Sequence, residues 1–203
     1  MIVVIDYKAG NLYNVGNALK YLNADFTVSG DPAVVSQADR VILPGVGSAR
    51  AAMESLTEQG LVEVLQGLRV PFLGICLGLQ LLFEVSDEAN TPCLGLLPGT
   101  VRRFDSSQIK VPHIGWNQVS SLDVSSQPTS TLLKGIPEES FFYFVHSYFA
   151  PLVSPFTLGK TEYGSWFGSV VAQENFHGVQ FHPERSGEIG LKVLQNFLEV
   201  QAS

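Results

Sequence analysis

The chain has 203 residues, 45% hydrophobic and 15% charged, with 19 glycines and 11 prolines, a composition that excludes a disordered or fibrous polymer. Its formal net charge of -7, with only 12 Lys and Arg scattered along the chain, argues against a nucleic-acid binder, which needs clustered basic residues to neutralise phosphates. The length suits one domain over residues 1–203, in which roughly 70% of the unfolded surface is buried.

The opening "MIVVIDYKAG" has no basic leader, and its apolar stretch stops at Asp6. No later apolar run approaches the roughly 18 residues that span a bilayer, so a cytoplasmic protein without membrane attachment is expected. Short β-branched runs follow at 2–5, 26–28, 40–43 and 70–75, each bounded by turn residues and continuously apolar, as strands buried on both faces are. Between them, Leu12, Val15, Leu19 and Leu22 keep helical spacing, and residues 48–68 read as one broken helix or two short ones divided at Gly60. Alternating strands and helices predict an α/β fold, a doubly wound, mostly parallel sheet with flanking helices. From about Cys93 to Glu184 the chain turns aromatic and rich in Gly, Ser and Thr with hairpin-like spacing, which predicts an antiparallel extension to that sheet. Residues 120–135 read as an exposed loop, and Ile189, Val193, Leu194 and Phe197 mark a closing helix.

Two cysteines, Cys76 and Cys93, are too few for a disulfide framework, and each reads as a free thiol that is either buried or catalytic. Cys76 lies in "VPFLGICLGLQLLFE", where a strand ending in "GIC" and a helix over 77–84 would set it in a tight turn flanked by Gly74 and Gly78. A helix start favours a thiolate, and the Leu77 N–H could donate to an oxyanion on an attacked carbonyl. By itself the motif leaves a buried hydrophobe and a nucleophile as equal readings. The partner is "GVQFHPE": if Val179–Phe181 is a strand, His182 and Glu184 leave it on one side, the carboxylate fixing the tautomer and the imidazole acting as base, with Pro183 limiting the backbone between them. No His or Cys pair has metal-ligand spacing, so no metal is expected. "LPGVG" at 43–47 is a Gly-rich turn without the Lys of a phosphate loop. It reads equally as a plain turn or as the source of a second oxyanion donor near Val46.

"GICLGLQ" with a distant "HPE" resembles the class I glutamine amidotransferases, a flavodoxin-like family with a Cys–His–Glu triad. Within that family, "IDYKAGNL", "LPGVG", "PHIGWN" and "FVHSY" are similar to the branch that serves as glutaminase subunit of imidazole glycerol phosphate synthase. The resemblance implies that Cys76 attacks the side-chain amide of glutamine, His182 and Glu184 supply base and orientation, and Val46 and Leu77 hold the oxyanion. It places Gly47, Gln80, Glu88 and Ser147 on the substrate, with Tyr148 beside them, and needs no cofactor. It further implies a heterodimer with a (β/α)8-barrel cyclase that receives the ammonia, faced by Asn14, Tyr143 and Arg185, with the Val46 turn gated by the loaded partner. Glutaminase subunits of pyridoxal phosphate or anthranilate synthase are the alternative. The first should carry "GGEST" and the second "PGPG" where this chain has "PGVG".

Overall fold

The computed structural model describes residues 1–8, 10–122, 131–153 and 155–201. The first half alternates β1 (Ile2–Ile5), α1 (Leu12–Tyr21), β2 (Phe26–Ser29), α2 (Pro32–Val35), β3 (Arg40–Gly45), α3 (Ala49–Glu58), α4 (Leu61–Gly67), β4 (Phe72–Cys76) and α5 (Leu77–Gln80). Then come β5 (Phe83–Ser86), β6 (Thr91–Pro92), β7 (Leu97–Arg103), β8 (His113–Ser121), β9 (Ser140–His146), β10 (Tyr148–Phe149), β11 (Thr157–Tyr163), β12 (Ser165–Gln173), β13 (Phe176–Val179) and α6 (Gly187–Glu199). The two helical stretches after β3 are separate helices, divided at Gly60, whose φ of 68° suits glycine.

A nine-stranded sheet runs in the order β2-β1-β3-β4-β13-β12-β11-β8-β9. Its first five strands are parallel, and the rest extend it antiparallel. Successive residues of β1 serve opposite cores. Val3 and Ile5 pack with α3, α4 and the residues around α5, while Val4 packs with Val15 and Leu19 of α1 and Val193 and Phe197 of α6. This is the doubly wound arrangement, with helices on both faces.

Three expectations are corrected. The helix over 77–84 is a single turn, α5, and residues 83–86 form β5 instead. Residues 77–83 are all buried, so this run carries no period that separates helix from strand. The strand state prevails because β7 and the 91–97 segment offer backbone partners, as when Leu94 N–H donates to Leu81 O at 2.9 Å and Gly95 N–H to Phe83 O at 2.9 Å. Consequently β5, β6, β7 and β10 make a second, four-stranded sheet, order β10-β7-β5-β6, so the extension is not one sheet. Third, the loop placed at 120–135 is shorter: β8 continues to Ser121, Leu132 is fully buried, and Asn196 of α6 donates to Leu132 O at 2.9 Å and Lys134 O at 2.8 Å. Residues 123–130 of that loop lie outside the described residues.

Candidate active site

β4 carries Cys76 to the end of the parallel sheet, where it pairs in register with Gly45 of β3. The sharp turn is taken by Cys76 itself, at φ 55° and ψ -106°, a conformation that non-glycine residues rarely hold unless their surroundings impose it. The flanking glycines serve a different need. A Cβ on Gly74 would lie 2.4 Å from Gly78 O, and one on Gly78 would lie 1.9 Å from Leu43 O, so the elbow backbone rests directly on β3 and β4. As the first residue of α5, Leu77 has no intrahelical acceptor for its N–H. With one turn only, α5 lends little macrodipole to the thiol, less than a full helix would.

β13 ends at Val179, earlier than expected, and strand alternation does not bring His182 and Glu184 together. Gln180 N–H still donates to Ser169 O at 2.9 Å, but Pro183 can offer nothing to a ladder and opens a 3-10 turn, Pro183–Arg185. That turn sets His182 Nδ1 2.8 Å from Glu184 Oε1, with both side chains buried. Asn11, which caps α1, adds a second donor to Glu184 Oε1 at 3.3 Å. Ser186 ties the turn down, donating to His182 O at 2.7 Å and accepting from Tyr143 N–H at 3.0 Å. Nδ1 thus donates to Glu184, and Nε2 is buried with no hydrogen-bond partner among the described residues. Burial pulls the His182 pKa down, but the charge of the neighbouring Cys76 sulfur and the Glu184 carboxylate raise it well above an ordinary imidazole.

Cys76 and His182 line one cleft of about 340 Å³ together with Val46, Gly47, Leu77, Gln80, Glu88, Val145, Ser147 and Tyr148. Gly47, at φ 91°, has open space where a Cβ would stand. Glu88 reaches across to α3 and accepts from Ala49 N–H at 2.5 Å. Gln80 donates to Tyr148 O at 2.8 Å. The structure therefore gathers every residue assigned to catalysis, oxyanion or substrate around one opening, with Glu184 behind His182. The cleft is of a size that takes a small polar molecule. Cys93 is elsewhere, and burial pushes its thiol up to about 11.

Asn14, Tyr143 and Arg185 lie outside the cleft. The Arg185 guanidinium sits 4.3 Å over the Tyr143 ring. Tyr143, with Arg185 over its ring, adjoins a surface that the sequence reading missed. Ile114 and Trp116 on β8 pair across to Val145 and Tyr143 on β9, and Ile114, Trp116 and Phe141 are more than half exposed. The face runs to the cleft at Val145. Its signal was the alternation of Ile114 and Trp116 with small or polar residues in "HIGWNQ".

A thiol at a strained strand-to-helix turn, facing an imidazole that a buried carboxylate orients, defines a hydrolase or acyl transferase with a cysteine nucleophile. The chain belongs to the glutamine amidotransferase class-I family, which it matches over residues 3–200. It is 45% identical over 201 residues to the imidazole glycerol phosphate synthase subunit HisH of Bacteroides fragilis, covering 98% of this chain and 99% of that one. It is 48% identical over 200 residues to the subunit of the same name from Xanthomonas euvesicatoria pv. vesicatoria, covering 98% and 97%. A crystal structure of a glutamine amidotransferase shares the fold at a TM-score of 0.75 and 17% identity, covering 98% of each chain.

Proposed function

We propose that this chain, as one glutaminase domain, is the glutaminase subunit of an imidazole glycerol phosphate synthase. The observation that carries the proposal is the meeting of Cys76 and the His182–Glu184 pair in one cleft, in a chain similar along its whole length to such subunits.

The geometry supports the following course of reaction. The Cys76 sulfur, its proton already held by His182 Nε2, attacks the side-chain amide carbon of glutamine. The Leu77 N–H and a turned Val46 N–H receive the negative oxygen of the tetrahedral intermediate. His182 then returns its proton to the departing nitrogen, the C–N bond breaks, and ammonia leaves a γ-glutamyl thioester. Water, deprotonated by the same imidazole, attacks that thioester and releases glutamate and the free thiol. Gly47, Gln80, Glu88 and Ser147 hold the amino-acid end of the substrate. No step calls for a cofactor.

Ammonia passes to a (β/α)8-barrel cyclase subunit, which incorporates it in making imidazole glycerol phosphate and aminoimidazole carboxamide ribotide in histidine biosynthesis. Tyr143, Arg185, Asn14 and the apolar face at Ile114, Trp116 and Phe141 form the docking surface. An exposed patch of this kind, rimmed by polar residues, marks a protein contact. The setting is cytoplasmic; no described helix is long and apolar enough to cross a membrane.

The test is a glutaminase assay with and without a cyclase subunit carrying its ligand. The chain alone should be nearly silent and gain at least about a hundredfold with the loaded partner, as a closed-to-open change in the oxyanion turn allows. Cys76→Ala should still bind the partner and release no glutamate. Full activity in isolation, or glutamate release by that variant at the wild-type rate, overturns the reading.

A further inference from the structure

One buried polar side chain beside the nucleophile has no part in the scheme above. Gln180 stands between Val179 and Phe181, and all three are fully buried. A leucine or methionine could fill that place without the desolvation penalty of an amide. The amide instead reaches the reacting atom: its Nε2 lies 3.7 Å from Cys76 Sγ.

Which end of an amide faces a neighbour is decided by the network around it. Here the network has a fixed polarity, because it passes through a backbone carbonyl that can only accept. Tyr148 O accepts from Gln80 Nε2 at 2.8 Å and from His146 Nδ1 at 2.8 Å. The nitrogen end of Gln80 is thereby assigned, and its other hydrogen goes to Gln180 Oε1 at 3.1 Å. With its oxygen turned to Gln80, Gln180 has only N–H to offer the sulfur. The other branch is equally determined. Burial lowers the pKa of His146 to about 3, so its ring is neutral and its Nε2, opposite the donating Nδ1, accepts from His113 Nδ1 at 2.9 Å. His113 Nε2 then accepts from Asn117 Nδ2 at 3.3 Å. That nitrogen also donates to Glu162 O at 3.0 Å, and Asn117 Oδ1 accepts from Gln118 N–H at 2.8 Å.

We propose that Gln180 is a standing hydrogen-bond donor to the Cys76 sulfur, which it holds toward His182 and favours as the attacking anion. The hydrogen-bonded chain through Gln80 to the Tyr148 carbonyl keeps the Gln180 amide from flipping. The inference rests on Cys76 being the nucleophile of the proposed glutaminase. The donor forms and breaks no covalent bond; the thiol proton still goes to His182.

The test is alkylation of Cys76 by iodoacetamide across pH, located by peptide mass mapping, in wild type and Gln180→Met. Loss of a donor to an anion should slow alkylation at pH 7 by about tenfold and move the rate profile toward alkaline pH. In the presence of partner, kcat for glutamine hydrolysis should fall by a similar factor and KM by less. A role in packing alone would leave the alkylation profile in place, so a folded Gln180→Met protein alkylated at the wild-type rate at every pH overturns the proposal. Should Gln180→Met fail to fold, Gln180→Leu is read by the same criterion. Wild-type protein that alkylates normally yet hydrolyses no glutamine with a loaded cyclase would refute the glutaminase reading and leave this result standing.

Discussion

The two walls of the cleft are built on different physics. The elbow wall, from β3, β4 and α5, is backbone laid on backbone, with Gly74 and Gly78 admitting contacts that no side chain could share. The opposite wall, from β8, β9 and β10, is held by polar side chains among aromatic rings, with the His113 ring stacked 3.9 Å from Tyr163 and 5.0 Å from Phe144. The first wall fixes where the sulfur stands. The second is tied together by a His113–His146 hydrogen bond whose direction depends on neutral imidazoles. A backbone wall fails through sterics and is indifferent to pH; a histidine wall should fail through protonation.

The largest effect is expected on the elbow. In Gly78→Ala the new methyl would stand 1.9 Å from Leu43 O, a backbone atom in the middle of the parallel sheet, so β3 or the elbow must move. We expect a loss of about 3 kcal/mol or more, measured by denaturant unfolding, together with loss of glutaminase activity. A variant as stable as wild type would show that the close approach is not a packing requirement.

The same contrast sets what could be read from the sequence. β1, β3 and β4 were legible because both faces are buried and their runs are continuously apolar, and the break at Gly60 because a left-handed residue there divides two periodic segments. The turn at Cys76 was legible because the chain itself encodes it, with Gly74 and Gly78 set two residues to either side of the thiol. Residues 81–86 were not, since the buried stretch through Phe83 has no period, and its fate was settled by backbone partners such as Leu94 and Gly95, outside the local pattern. His182 and Glu184 were found as a pair for an incomplete reason, since a 3-10 turn rather than strand alternation joins them. Asn11, Ser186 and Gln180 carry no local signature; their roles rest on partners far along the chain, although a glutamine amid "GVQF" is itself a hint that a buried amide has a partner.

The second expectation separates the walls by pH. His113, His146 and His177 are held down by burial, to about 4, 3 and 4 respectively. The unfolded chain takes up protons near pH 6.5 and the native chain does not, so stability falls as pH drops from about 6.5 toward 4. His182 has the opposite sign. Its raised pKa keeps a proton in the native state that the unfolded state gives up, so its contribution is full below about pH 6.5 and is lost as pH rises through the raised value. Melting temperature should therefore peak near pH 6.5 and fall by on the order of 5 °C between pH 6.5 and 5, above the range where most carboxylates titrate. Cys76→Ala, which removes the sulfur that raises His182, should shorten the alkaline limb and leave the acid limb alone. A flat profile between pH 6.5 and 5 would mean that the outer wall does not depend on neutral imidazoles.

The smallest expected effect on stability sharpens the first. Gly47 shares a cleft with the elbow but none of its crowding: a Cβ there meets nothing within 4 Å, and the demand on glycine comes from φ at 91° alone. Gly47→Ala should accordingly cost about 1–2 kcal/mol, the strain of a left-handed residue, against the larger loss at Gly78. Activity should not follow stability. Gly47 neighbours Val46, whose N–H is the proposed second oxyanion donor, and a methyl that narrows the backbone choices of the 44–47 turn should hinder its turning inward. The expected result is a protein that melts close to wild type, binds its partner, and shows a loss of partner-induced glutaminase activity of about tenfold or more. Equal losses of stability at Gly47 and Gly78 would erase the distinction between a glycine kept for close approach and one kept for its freedom to move.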